Sequence, residues 1–158
     1  MNRRRSPIAV SPGPMERLLT PQEVAEWADR WIAAFPADRS GIHAEEYLWH
    51  IFSAERYPAK SKADARVAYE CQRAVEFVVI SNDRDEGFVT RSHPMTCSFS
   101  DWLVFPPNLA WTMAFTHEDG WLGPYFAQHV EYRELDRANR KLIAKQVQIL
   151  EAKRKGWV

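Results

Sequence analysis

Residues 110–126, AWTMAFTHEDGWLGPYF, constrain the fold of this chain more than any other stretch. Between Trp111 and Phe115 every second residue is large and apolar, and the residues between them are smaller. A period of two is typical of a β-strand in a sheet. The strand leads directly into the polar run 117–119, and glycine and proline residues then impose two turns. The stretch therefore predicts a core strand that delivers a polar cluster to a sheet edge.

Three more strands are predicted upstream of this one. Residues 74–80, 88–90 and 100–105 are rich in β-branched and aromatic side chains, which favour strands. The connections between them are short and contain turn residues, as in SNDRDEG at 81–87. Parallel strands need long crossover connections, which such short links cannot provide. We therefore predict an α+β fold with an antiparallel sheet of about four strands.

Helical periodicity marks both ends of the chain. Thr20 and Glu23 have the spacing of a capping box, and apolar residues then recur at helical spacing as far as Phe35. A long helix is predicted over 133–155, with one apolar face and one basic face. Two shorter helices are predicted between these two. We expect the first and last helices to cover the same face of the sheet.

The first residues of the chain differ in composition from the rest. Residues 1–18 combine arginines with Ser-Pro and Pro-Gly-Pro and show no periodicity, so we predict a disordered tail there. Met1 and Met15 both remain candidates for the start of translation. Residues 19–158 have the length of an ordinary domain, and we predict that they form a single one.

The expected location follows from apolar runs and cysteines. No window approaches the roughly 18 apolar residues that a membrane helix needs, and no apolar signal-peptide region follows the N-terminal arginines. Cys71 and Cys97 lie far apart and form no CxxC motif. We therefore expect a reduced, cytoplasmic protein that does not associate with membranes.

Charge is unevenly distributed, although the whole chain has a net charge of zero. Residues 15–133 hold 11 basic and 18 acidic side chains, a net charge of −7. Residues 134–155 hold seven basic and three acidic side chains, a net charge of +4. An acidic body does not suit nucleic acid, which needs a basic face to neutralise phosphates. It suits solubility or a basic protein partner.

Metal and cofactor sites need residue spacings that this chain lacks. His117 and Glu118 are neighbours at a predicted strand end, so we expect their side chains to point to opposite faces and not to hold one ion. The HExxH motif, the calcium loop, the glycine-rich phosphate loops and the GxSxG nucleophile turn are absent from the sequence. We predict neither a metal site nor a cofactor.

Two strings, taken together, resemble a known family. YLWHIFS at 47–53 and WTMAFTHEDGWLGPYF at 111–126 are similar to the LWHxFS and THE…GPYF motifs of an uncharacterised family of small bacterial proteins, a domain of unknown function. The resemblance covers roughly residues 20–155 and implies a bacterial, cytoplasmic α+β domain without an established activity. The positions that the shared motifs mark are His50, Trp111, Thr116, His117, Glu118, Gly123, Pro124 and Tyr125.

One class of function that these motifs leave open is a small enzyme of unknown substrate. Its acid–base site would use His50, His117 and Glu118. We expect the LWHIFS helix to pack beside the end of the fourth strand, which would bring His50 close to His117. Both histidines lie in aromatic strings, where a buried polar group needs a partner.

The other class is a protein-binding module of antitoxin or immunity type. Its candidate contact residues are Trp121, Tyr125 and Asp119, on or beside a turn bounded by glycine and proline. An interface needs an exposed aromatic side chain, polar groups and a rigid turn, and this segment supplies all three. A catalytic site needs a second element with recognised spacing, which the sequence does not offer. We therefore favour the binding module, with the His/Glu enzyme as the alternative.

Overall fold

A seven-stranded antiparallel sheet forms the centre of the protein in the computed structural model, which describes residues 7–156. The strands are β1 (Val10–Ser11), β2 (Met15–Leu18), β3 (Lys60–Ser61), β4 (Phe77–Ser81), β5 (Gly87–Thr90), β6 (Thr96–Cys97), β7 (Trp102–Phe105), β8 (Trp111–Phe115) and β9 (Tyr125–Gln128). The order in the large sheet is β2-β5-β4-β7-β8-β9-β3, and β1 pairs separately with β6. The four helices are α1 (Pro21–Ala34), α2 (His50–Ser53), α3 (Lys62–Glu70) and α4 (Tyr132–Arg154).

The predicted α+β class and the antiparallel pairing are confirmed, but the predicted strand number is wrong. The four expected strands correspond to β4, β5, β7 and β8, which are adjacent in the sheet. The additional strands β2, β9 and β3 extend the sheet at its two sides. β3 has only two residues, and β9 follows directly on the Gly-Pro turn, so neither shows a clear alternation in sequence.

The sheet is buried on both faces, which explains the nearly continuous apolar runs of β4 and β7. One face carries Val78, Ile80 and Leu103 and packs against α1 and the segment around α2. The other face carries Trp111 and Met113 and packs against α3 and the start of α4. The alternation that was visible from Trp111 onwards therefore divides β8 between two cores.

The capping box predicted at the start of α1 is present. The Thr20 hydroxyl accepts a hydrogen bond from the Glu23 backbone N–H, and the Glu23 carboxylate accepts one from the Thr20 backbone N–H, both at 3.1 Å. The helix buries Val24, Ala28 and Trp31 against the sheet. The Trp31 indole N–H also donates to the Thr112 hydroxyl at 2.9 Å, which ties α1 to β8.

The prediction that the first and last helices cover one face is wrong. α1 belongs to one core, whereas α4 contributes Tyr132 and Leu135 to the other. Asn139 is the last buried residue of α4. All residues of the helix after it are exposed or half-buried, so the second half of α4 projects from the sheet. No helix within residues 7–156 is both long and apolar enough to cross a membrane.

The segment predicted to be a disordered tail contains two strands where the structure describes it. β1 and β2 lie within 7–18, and residues 1–6 lie outside the described part of the chain. β2 pairs with β5 at one side of the large sheet, and β1 pairs with β6. Pairing over such long sequence separations leaves no local periodicity, which is why composition alone indicated disorder.

Candidate functional site

Asp101, a residue that the sequence analysis did not single out, lies at the centre of the candidate site. It directly precedes β7, and the pairing of Trp102 with Phe115 places it beside the residues that follow β8. Its carboxylate is buried, with 8% of the side-chain surface exposed. It accepts hydrogen bonds at 3.0 Å from the Trp49 indole N–H and from the His117 backbone N–H. One carboxylate therefore joins the α2 segment to the ends of two strands.

His117 pairs with this carboxylate through its ring. Nδ1 lies 3.0 Å from Oδ1 and 2.9 Å from Oδ2 of Asp101, and 40% of the His117 side chain is exposed. The hydrogen bond to Asp101, followed by the charges of Asp101 and Glu118, raises the pKa of His117 above its usual value, although desolvation opposes the shift. Because both carboxylate oxygens contact Nδ1, the pair fixes the ring orientation and leaves Nε2 available for other contacts.

Glu118 lies on the same side as His117, contrary to the expectation of opposite faces. β8 ends at Phe115, so the alternation of a strand no longer applies to these residues. In the following turn, His117 Nε2 and Glu118 Oε1 are 3.8 Å apart. The two side chains thus form the exposed end of a chain of polar groups that begins at Asp101.

His50 joins the site through aromatic neighbours. Its ring centroid lies 4.4 Å from that of Trp49 and 5.2 Å from that of Tyr47. The His117 ring contacts the same two residues, at 5.2 Å for Tyr47 and 6.3 Å for Trp49. The two histidines therefore surround one aromatic pair, and no hydrogen bond joins their rings within the part of the chain that the structure describes.

The turn after β8 carries Trp121, whose surface is 72% exposed. The Thr116 hydroxyl donates to the Leu122 carbonyl, and the Gly120 N–H donates to the Gly123 carbonyl at 3.3 Å. Gly123 has a φ of +96°, and a Cβ there would lie 2.9 Å from Thr116. Only glycine fits this closely packed, left-handed position without strain. The exposed tryptophan is therefore held on a tightly closed turn.

The other two predicted contact residues have different surroundings. Asp119 is half exposed and forms an ion pair with Arg66 of α3. Tyr125 is only 7% exposed, because it packs between the turn and Trp49, with a ring centroid distance of 6.1 Å to the latter. This burial raises the pKa of the Tyr125 hydroxyl. Tyr125 is thus a core residue, contrary to the expectation of an exposed anchor.

A cleft of about 600 Å³ lies beside the turn. Trp121 and Gly123 line one side of it, and Tyr125 lines it from within the core. The opposite side is formed by the segment that follows α2, including Arg56, and by Lys62. Arg56 is itself paired with Asp38 at 3.4 Å. The cleft therefore combines an exposed aromatic side chain with two cationic ones.

Within residues 7–156, no group of three or more His, Cys, Asp and Glu side chains is placed to hold a metal ion. Asp101 and His117 form a pair whose other close neighbours are the indole of Trp49 and a backbone N–H. Such an arrangement can orient a histidine and increase its basicity.

Asp101 could have been found from the register of the β7–β8 hairpin. The Pro106-Pro107 corner and the predicted strands on either side place residue 101 opposite residues 116–117. An acid at that point lies beside the histidine that ends the next strand. The contribution of Trp49 has no comparable signal, since it depends on how the α2 segment packs on the sheet.

Comparison with known proteins places this fold and site in a class without an assigned activity. Residues 26–126, which is more than half of the chain, match the family described as a domain of unknown function, DUF4275. The chain belongs to this family. No curated protein matches it, and no solved structure matches it. The matched region contains Trp49, Asp101, His117 and Trp121, whereas α4 lies outside it.

Proposed function

We propose that this protein is a protein-binding module of antitoxin or immunity type, and that Trp121 is the central contact residue. The exposure of Trp121 is the observation that carries the proposal. Within residues 7–156, Trp27 is half-buried and every other tryptophan apart from Trp121 is buried. A large aromatic side chain left in water on a closed turn is typical of a hot-spot residue at an interface.

The rigidity of the turn supports this proposal. Backbone hydrogen bonds run from Trp121 and Leu122 to the Glu118 carbonyl, at 3.0 and 2.8 Å. The ion pair between Asp119 and Arg66 links the turn to α3. A preorganised contact residue loses little conformational freedom on binding, so more of its burial energy contributes to affinity.

The cleft and the charge distribution indicate the kind of partner. The cleft beside Trp121 is lined by Arg56 and Lys62, so it can accept an acidic side chain from a partner that rests on the tryptophan. The net charge of −7 over residues 15–133 favours a basic partner and speeds its encounter. A basic toxin that this protein covers meets these requirements. In this proposal the protein acts in the bacterial cytoplasm, where Cys71 and Cys97 remain free thiols.

The test compares three baits in a quantitative pull-down from a bacterial lysate: the natural chain, Trp121→Ala and Val130→Ala. Val130 is 80% exposed and lies outside the turn, so its replacement is a matched control for loss of an exposed apolar side chain. We expect a partner that the natural chain and Val130→Ala both enrich and that Trp121→Ala loses. Calorimetry with that partner should show a loss of about 2 kcal/mol, roughly a 30-fold increase in Kd, for Trp121→Ala.

Two results would contradict the proposal. Equal losses for Trp121→Ala and Val130→Ala would mean that the turn is not the contact surface. A sharp fall in melting temperature for Trp121→Ala would show that the side chain stabilises the fold, and the argument from exposure would fail. A toxin gene beside the gene for this protein would support the antitoxin role, whereas a metabolic operon would favour an enzyme.

A second candidate function is acid–base catalysis, which the Asp101–His117 pair favours. We propose for this alternative that His117 Nε2 accepts the substrate proton, that Asp101 holds the ring, and that Glu118, 3.8 Å from Nε2, assists proton transfer. The test is a panel of ester and amide substrates assayed with the natural chain and with His117→Gln. Turnover that the variant retains would exclude this role for His117.

A further inference from the structure

The outer half of α4 carries apolar side chains that are only partly covered by the rest of the described chain. Leu142, Val147 and Leu150 are 55%, 48% and 57% exposed, and Ile149 is 38% exposed. The inner half is held to the body by Asn139, whose amide donates to Asn108 at 3.2 Å, and by packing of the preceding turns. Four large exposed apolar side chains within nine residues form a patch that favours contact with another surface.

A regular stripe runs along α4 through part of this patch. Its members, spaced alternately four and three residues apart, are Asp136, Arg140, Ile143, Val147, Leu150 and Arg154. This spacing is that of the seam along which two helices pack side by side. Leu142 and Ile149 lie roughly a third of a turn away from the stripe, on the side of the helix that lines a groove of about 380 Å³ between α4 and the loops at 74–76 and 107–108. Of the stripe, Val147 and Leu150 are about half exposed and available for a partner helix, whereas the side chain of Asp136 is only 15% exposed.

We propose that α4 pairs antiparallel with α4 of a second copy of this chain. The order of the side chains along the stripe supports this occupant, because reversal sets Ile143 against Val147 and the end charges against each other, while the aliphatic stem of Arg140 lies over Leu150 of the second copy. With the centre of the pairing between Ile143 and Val147, Ile143 meets Val147 of the second copy, and each contact occurs twice by symmetry. The same alignment places Asp136 beside Arg154 of the second copy.

A flanking pair also fits this alignment. Arg140, whose side chain is 79% exposed, comes beside the exposed Glu151 of the second copy. A parallel pairing would instead place each charged residue beside the same residue of the second copy, so that like charges would meet. Arg140 already contacts Asp136 on its own helix at 2.9 Å, so Arg154 of the second copy would join an existing ion pair. Opposite charges at both ends of a short apolar seam select the antiparallel arrangement.

The remaining charges of α4 do not oppose this pairing directly. Lys141 and Lys145 fall on the far side of the helix, because an α-helix has 3.6 residues per turn, whereas Arg137 lies on the same edge of the helix as Glu151. They give the helix its excess of positive charge and remain in solvent. Lys153 lies closer to the seam and faces the small Ala138 of the second copy in this alignment.

The test measures association of the full-length protein by sedimentation over micromolar to millimolar concentrations. We expect a reversible dimer for the natural chain. Arg140→Glu and Glu151→Arg, each alone, should weaken association about tenfold or more, because each replaces two attractive contacts by two repulsive ones. The double variant Arg140→Glu with Glu151→Arg should restore association. Lys141→Glu and Glu134→Arg are matched controls with the same charge changes on the far side of the helix.

The double variant separates pairing from helix stability. Arg140→Glu loses the contact with Asp136 in the single and in the double variant, so recovery in the double variant cannot come from that contact. A monomeric natural chain over the whole concentration range would overturn the proposal. A dimer that is indifferent to both single variants, or that the double variant does not recover, would also overturn it, because the interface would then lie elsewhere. Trp121→Ala should leave the dimer intact, which keeps this test independent of the proposed partner surface.

Discussion

Replacement of Asp101 by Ala should destabilise the protein far more than an ordinary surface substitution. The carboxylate is the acceptor for the Trp49 indole N–H, in a side chain that is 2% exposed, and for the His117 backbone N–H. An unsatisfied buried donor costs about 1–3 kcal/mol, so these two donors together cost about 2–6 kcal/mol. Because His117 lies near solvent, water can replace part of the hydrogen bond that its backbone N–H loses. We therefore expect Asp101→Ala to lower the free energy of unfolding by about 3 kcal/mol.

The assay is urea unfolding followed by far-ultraviolet circular dichroism, with Asp119→Ala as the matched control. Asp119 also forms an ion pair, but both members of that pair, Asp119 and Arg66, are exposed, and such pairs contribute at most about 1 kcal/mol. The free energy of unfolding should therefore fall several times more for Asp101→Ala than for Asp119→Ala. A loss of less than about 1 kcal/mol for Asp101→Ala, or equal losses for both variants, would refute the view that this carboxylate organises the site.

Asp101→Asn tests the electrostatic part of the same argument. The raised pKa of His117 means that the folded state binds a proton more tightly than the unfolded state. The stabilisation is therefore complete below the unfolded pKa and disappears as the pH rises through the folded pKa. Asp101→Asn should lower the pKa of His117 in an NMR titration, and its cost in stability should be larger at about pH 5.5 than at about pH 9. An unchanged titration would mean that the carboxylate does not set the charge of the ring.

Two further predictions concern the core. Burial, followed by the charge of Arg73, lowers the pKa of His93 to about 4, so stability should decrease as the pH falls from about 6.5 to about 4. Because His93 is only partly buried, solvent screening limits its share to about 1–2 kcal/mol, and urea unfolding at a series of pH values should show a flatter profile for His93→Gln. Gly87→Ala should cost about 1–3 kcal/mol in thermal unfolding, because a Cβ there would lie 2.6 Å from the Val79 carbonyl oxygen. Gly13→Ala, whose Cβ would lie 3.6 Å from the Val10 carbonyl oxygen, is the control and should cost little.

Local patterns explain which parts of the fold could be predicted from the sequence. The inner strands β4, β5, β7 and β8 carry their apolar residues in runs or alternations and are joined by short turns, so their type and pairing were predictable. The outer strands β2 and β3 pair with partners far away in the sequence, and their own residues are largely exposed. The prediction that α4 covers the same face of the sheet as α1 was wrong. Amphipathicity shows that a helix has an apolar face, but it does not show which surface that face packs against.

The candidate site was predictable to a similar extent. The aromatic strings around His50 and His117 predicted that the two rings would lie close together, and in the structure both rings contact Tyr47 and Trp49 without a hydrogen bond between them in the described chain. The exposure of Trp121 was also expected from its place on a glycine-bounded turn. The role of Asp101 depends on a tertiary hydrogen-bond network, and the burial of Tyr125 depends on the packing of α2. Neither leaves a periodic signal in one sequence.

The strand order has a consequence for how the chain is made. All five inner strands of the large sheet come from residues 77–128, whereas both outermost strands, β2 and β3, come from the first 61 residues. Synthesis proceeds from the N-terminus, so these two strands leave the ribosome before the strands that they will border. The two edges of the sheet are therefore formed by segments that are made first but that can pair only after β5 and β9 have been synthesised. Since β3 has only two residues, it leaves a short edge at its side of the finished sheet, and short edge strands give another chain little to pair with.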